Sequence, residues 1–75
     1  MSNWRIKFVL KDEAIVGGVV LAPCEVHTIE IKGIDGASAA QNVCTAYEKI
    51  EKMVNEGCEY GRSNVSHFVH HTQVN

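Results

Sequence analysis

Trp4, Ile6, Phe8 and Leu10 alternate with Arg5, Lys7 and Val9, and a period of two predicts a strand with one face buried. Lys11-Asp12-Glu13 is polar enough to turn the chain. Ala14 to Leu21 then reads AIVGGVVL, apolar on both sides of the alternation with Gly17-Gly18 in its middle. Such a run is either one strand bulged at the glycines or a short hairpin turning on them. Because Lys11-Asp12-Glu13 already supplies a turn, the single bulged strand is preferred. Ala22-Pro23 breaks the run. Cys24 to Lys32 predicts a third strand, with Ile29 and Ile31 inward and Thr28, Glu30 and Lys32 outward. Val26 and His27 fall out of phase with it, which predicts a bulge there, and Gly33-Ile34-Asp35-Gly36 ends the strand.

The period then changes. Ala40, Val43, Cys44, Tyr47, Ile50 and Val54 recur at helical spacing and form one apolar stripe. Gln41, Thr45, Glu48, Lys49, Lys52, Asn55 and Glu56 lie on the other side, with Glu48 four before Lys52 in the favoured order. Ser38-Ala39-Ala40-Gln41 predicts a capping box, with Asp35 as the alternative cap, and Gly57 is expected to stop the helix in a left-handed conformation. Glu59 to Asn64 reads as a polar loop. Val65 to Val74 fits either period, and its Val, Thr and Phe content favours a strand.

The order β-β-β-α-β predicts a two-layer α+β fold: an antiparallel three- to four-stranded sheet with one helix packed on one face, in a single domain over residues 1–75. A sheet apolar on both faces, with Val9, Ile15, Val19 and Leu21 or their partner set pointing away from the helix, would leave apolar surface uncovered. That predicts a homodimer interface or a partner-binding face.

Size sharpens this expectation. A chain of 75 residues hides only about 60% of the surface it exposes when unfolded, so a disulfide, metal, second copy or partner is expected to add stability. Length excludes a TIM barrel, a doubly wound nucleotide-binding sheet and a kinase. Seven Lys+Arg against nine Asp+Glu leave a net charge of −2. The basic residues Arg5, Lys7, Lys11, Lys32, Lys49, Lys52 and Arg62 are scattered, which argues against strong general binding to phosphate backbones. Met1-Ser2-Asn3-Trp4-Arg5 runs directly into the first strand without a signal peptide, and no apolar stretch approaches a membrane span of about 20 residues. The expected location is the cytoplasm. There the Asn64-Val65-Ser66 sequon carries no glycan, and Cys24, Cys44 and Cys58 are expected to be small buried hydrophobes. Cys44 and Cys58 would stand about 21 Å apart along one helix and cannot pair, which leaves Cys24 as the only disulfide partner for either.

His67-Phe68-Val69-His70-His71 is the richest stretch for chemistry. On a helix His67 and His71 would share a face fit for zinc. On a strand they stand about 13 Å apart, too far for one ion, and no metal is expected. The histidines then read as solvated edge residues, or as a contact surface that weakens below about pH 6.5. Cys24 and His27 have metal-ligand spacing, but an odd separation on a strand splits the faces. No Gly-rich phosphate loop is present, since Gly17-Gly18 lacks a following Lys-Ser/Thr. A Cys-His pair through His27 or His67 stays open, yet a domain this small has little room for a sunken pocket. No catalysis and no cofactor are expected. Glu48, Glu51, Glu56 and Glu59, with Asp12 and Glu13 on the first turn, read as a solvated helix face or as an acidic surface for a basic partner. With His67 and His71 they are the candidate partner-binding residues.

At the level of layout the chain resembles small inhibitor proteins of phages and mobile elements, in particular anti-CRISPR proteins. The likeness rests on a short cytosolic chain, the hairpin Trp4–Leu21, and Asp35-Gly36-Ala37-Ser38-Ala39-Ala40 leading into one helix and a last strand. What it implies is a non-catalytic protein that binds a partner and blocks it sterically, often at a nucleic-acid-binding surface. A net charge of −2 is modest for a mimic of DNA. The alternative is a small nucleic-acid-binding module that lays its sheet in a groove, with Arg5, Lys7, Lys32 and Trp4 as contacts.

Overall fold

The alternation in the first ten residues places Trp4, Ile6, Phe8 and Leu10 on one face of β1, and all four are buried. The computed structural model describes residues 1–58 and 63–74. Its elements are β1 (Ser2–Leu10), β2 (Ala14–Val16), β3 (Val19–Leu21), β4 (Val26–Ile34), α1 (Ala39–Glu56) and β5 (Val65–Gln73). β1 is the middle strand of a three-stranded antiparallel sheet, with β4 on one side and β5 on the other. β2 and β3 form a separate two-stranded hairpin. The chain is thus a two-layer α+β domain, with one more strand before the helix than the sequence pattern predicts.

The extra strand comes from the glycines. Gly17 and Gly18 take φ of +59° and +77°, a two-residue turn of the primed type whose twist matches the strands it joins. Ala14–Leu21 is therefore a hairpin and not one bulged strand. Its register pairs Ala14 with Leu21, Ile15 with Val20 and Val16 with Val19.

The third predicted strand is displaced by two residues, to Val26–Ile34, and carries no bulge at Val26 and His27. His27 lies opposite Phe8 on the inner face. Its Nε2–H donates to Ala22 O at 2.7 Å and its ring leans on Phe8 at 6.0 Å, so a polar residue at an apolar position is satisfied without breaking register. The irregularity falls instead between Ser2 and Trp4, where Ile34 and Ile31 are the partners.

In α1 the buried residues are Ala46, Ile50 and Val54, with Val43, Tyr47 and Met53 packed partly against the core. Ala40 and Cys44, placed on the predicted stripe, are exposed; the buried face is rotated toward Met53. Ser38 caps the helix by accepting from Gln41 N at 3.2 Å. Gln41 Oε1 reaches Ala37 N at 2.8 Å, so the box closes one residue upstream of the cap. Gly57 ends the helix with φ −81°, outside the left-handed region. It is required for space: a Cβ there would stand 2.3 Å from Ile15 O. Ile15 N donates to Gly57 O at 3.0 Å, which joins the hairpin to the end of the helix.

Asn64 ties the same end together. It is fully buried. Its Oδ1 accepts from Asp12 N at 2.8 Å, and its Nδ2 donates to Asp12 O at 3.1 Å and Val54 O at 3.4 Å. Its backbone N–H donates to Asn55 Oδ1 at 2.8 Å, and its carbonyl accepts from Lys11 N at 2.8 Å. The predicted polar loop over Glu59–Asn64 thus ends in a core residue; residues 59–62 lie outside those described. Of the cysteines, Cys58 is buried while Cys24 and Cys44 are exposed, and all three are free thiols. Among the described residues no helix is long and apolar enough to cross a membrane.

Candidate interaction surfaces

The outer face of the sheet, away from the helix, is polar rather than apolar. Arg5, Lys7 and Val9 of β1 face outward. Glu30, Thr28 and Val26 lie opposite them on β4, and Thr72, His70 and His67 on β5. Lys32 follows Ile31 on the same outward side and is exposed. Val26, 57% exposed, is the large apolar side chain that stands out on this face, and among the described residues the apolar face expected for self-association is not formed as one surface. Its residues split between two places: Val9 is half-buried within the polar face, while Ile15 and Val19 lie on the hairpin. Three cations meet one carboxylate, Glu30, on these strands. Trp4 is not among the contacts available here, because it is buried on the inner face.

Three exposed apolar side chains share the hairpin, while Met1, Val26 and Val69 are exposed elsewhere. Ile15, Val19 and Val20 are 55%, 59% and 58% exposed, and Ile15 and Val20 are cross-strand partners. Ala14, Val16 and Leu21 hold the hairpin to the core. A shallow groove runs beside it between Ile15, Val16 and Gly17 on one wall and Met53, Glu56 and Gly57 on the other. The preference for one bulged strand over Ala14–Leu21 hides this surface in the sequence. The signal was present: two glycines between apolar triplets are the shortest hairpin signature.

On the inner face β5 joins an aromatic cluster. A register shift between Lys7 and Phe8, whose partners are His70 and Phe68, leaves Val69 as the extra residue and changes the phase of β5. His71 then lies opposite Ile6 and His67 opposite Val9, so these two histidines point to opposite faces. The Tyr47 ring stacks on Phe68 at 4.2 Å, and the Tyr47 hydroxyl is hydrogen-bonded with His71 Nδ1. His71 also meets Trp4 edge-on at 5.8 Å. Burial, and then the Cys44 thiol nearby, push the Tyr47 phenol above its ordinary value of 10.0. The folded state therefore holds this proton more tightly than the unfolded chain does. The resulting stability is present below about pH 10 and lost as pH rises through the raised value. Chemical denaturation at rising alkaline pH should show the wild type losing more stability than Tyr47→Phe. Equal losses would remove this account.

The candidate acidic residues are spread over two elements. Glu48, Glu51 and Glu56 are exposed on α1; at about 100° per residue they fall within an arc of about 140°, with Lys52 between Glu48 and Glu56. Asp12 and Glu13 sit on the β1–β2 turn, at the end of the molecule where Gly57 meets Ile15. Glu59 falls outside the described residues. His67 is exposed on the outer face, whereas His71 is engaged by Tyr47. Among the described residues no three His, Cys, Asp or Glu side chains stand together as metal ligands.

Compared with protein-family models, with curated proteins and with solved structures, the chain matches none.

Proposed function

We propose that this domain is a non-catalytic cytoplasmic protein that docks on a partner protein through the β2–β3 hairpin and sterically blocks it, in the manner of a small phage or mobile-element inhibitor such as an anti-CRISPR protein. The observation that carries the reading is the exposed Ile15–Val20 pair with Val19 beside it, three branched apolar side chains more than half exposed on a hairpin fixed to the helix end. β-branched residues projecting from a rigid two-stranded element lose little side-chain entropy on binding. Glu56 and Glu13 at the same end add negative charge around the apolar centre, the arrangement of an interface core and its rim. A second copy of the chain is the other occupant this surface would take.

The test compares the wild type with a variant carrying Ile15→Lys and Val20→Glu, exposed cross-strand partners given opposite charges so that the pair stays compatible with the hairpin and the net charge is unchanged. A tagged wild-type chain expressed in its native cells should retain one partner at equal stoichiometry, and the variant should lose it. No stoichiometric partner, or a partner kept by the variant, would overturn the proposal. A sedimentation mass of twice 8.3 kDa that the same substitutions halve would assign the surface to self-association instead.

A further inference from the structure

We infer that the outer face of the β4-β1-β5 sheet is a second binding site, for the phosphate backbone and major groove of duplex DNA. Charge is segregated in this molecule. The chain is net −2, yet the three strands of the sheet carry Arg5, Lys7 and Lys32 against Glu30 alone, all exposed. The negative excess therefore lies on the helix, the turns and the loops. A sheet face of net positive charge on a molecule of net negative charge orients it toward a polyanion before contact.

Composition selects the duplex. The major groove of B-DNA, about 12 Å wide, admits two strands side by side, so β1 would enter it with one neighbour while the third strand lies against the phosphates. The groove of A-form RNA is too narrow and deep for side chains to read. Single strands are held mainly by stacking on aromatic rings, and this face has none beyond imidazole: Trp4 and Phe8 point inward, and Phe68 is stacked on Tyr47. What it offers instead is hydrogen-bonding chemistry for paired base edges and phosphates. Arg5 and Lys7 stand on the central strand. Thr28 and His70 flank Lys7, and Glu30 and Thr72 flank Arg5. His70 and Thr72 share a hydrogen bond of 2.9 Å, which holds both side chains over the face. Glu30, directly opposite Arg5, offsets one cation.

The experiment is fluorescence anisotropy with a short random-sequence DNA duplex. Its arms use the same sequence as single-stranded DNA and as duplex RNA. Three cations on phosphates predict a slope of log affinity against log salt of about −2.7. A variant with Arg5→Glu and Lys7→Glu should lose at least about tenfold in affinity and most of that slope. A Lys49→Glu, Lys52→Glu variant, altered on the helix, should stay within about twofold of wild type. Glu30→Gln removes the opposing charge and should tighten binding roughly two- to tenfold, a gain that misfolding cannot imitate. Hairpin variants should bind DNA as the wild type does, so this site and the proposed partner surface fail or succeed separately. No binding at about 50 mM salt, a preference for either other nucleic acid, or no gain from Glu30→Gln would overturn the assignment.

Discussion

Replacing Asn64 with alanine should lower the unfolding free energy by about 3 kcal/mol, because the substitution strips partners from groups that water does not reach easily. Asp12 N–H loses its acceptor, and the carbonyls of Asp12 and Val54 lose a donor they share. A domain of this size is stable by roughly 4–11 kcal/mol in all, so this one amide decides whether the fold survives moderate heat. Asn64→Asp separates hydrogen bonding from shape. The introduced carboxyl would face two carbonyl oxygens in a site with 0% exposure, which raises its pKa through burial and repulsion. Its folded form therefore favours the proton. The variant should come closest to wild type below about pH 4 and weaken as pH rises toward neutrality. Urea midpoints for the three proteins at acid and neutral pH measure this; an alanine variant within 1 kcal/mol of wild type by roughly the usual surface tolerance would refute it. The same geometry settles the sequon Asn64-Val65-Ser66. A glycan on Nδ2 would prevent the chain from closing, whatever compartment it occupied.

Gly57→Ala should cost a similar amount for an unrelated reason. The backbone at Gly57 lies at φ −81°, which alanine adopts freely. The penalty is wholly steric: the new methyl would stand 2.3 Å from Ile15 O and 3.0 Å from Ile15 C, and both are backbone atoms that no rotamer change can move. Relief requires the hairpin to leave the helix, breaking the Ile15–Gly57 hydrogen bond and uncovering Ala14, which is now fully buried. We expect a loss of about 3 kcal/mol and a fall in Tm of more than about 10 °C. Hydrogen exchange should quicken at Ile15 before it quickens in the β1–β4 ladder. Gly36→Ala is the natural contrast, since its Cβ would meet the Asn42 side chain, at 2.4 Å from Oδ1, and a side chain can turn away. If the two substitutions cost the same, the close approach at Gly57 is not what fixes the hairpin.

The parts legible in the sequence were those governed by local periodicity. β1 alternates because its two faces meet different surroundings, and all four apolar residues assigned inward are buried. The helix is found from Ser38 to Gly57 because cap, stripe and stop coincide there. Errors arose where one local pattern serves two structures. Gly17-Gly18 suits a bulge or a turn, and only the register of the flanking triplets decides. Gly57 matched a left-handed stop by position, whereas its real constraint is a carbonyl more than forty residues away in the chain. Asn64 looked like loop because its partners, Asp12 and Val54, are supplied by tertiary structure. The outer face is hidden for the same kind of reason: Arg5 and Lys7 share a side of β1, but their neighbours on both flanks depend on a strand order that periodicity does not encode. The bulge at Val69 then separated His67 from His71, which an unbroken strand would have kept on one face.

The strand order has a kinetic consequence. β1 is made first but sits in the centre, and its pairing with β5 joins Trp4 to Gln73 and Leu10 to Val65. The longest loop in the molecule must close before the sheet is complete, and such non-local closure slows folding. During synthesis β1 can meet β4 and then the helix, yet Ile6 and Phe8 keep one open flank until residues 65–73 arrive. The nascent chain therefore carries a central strand with one edge unpaired until β5 is made, and that strand completes the sheet.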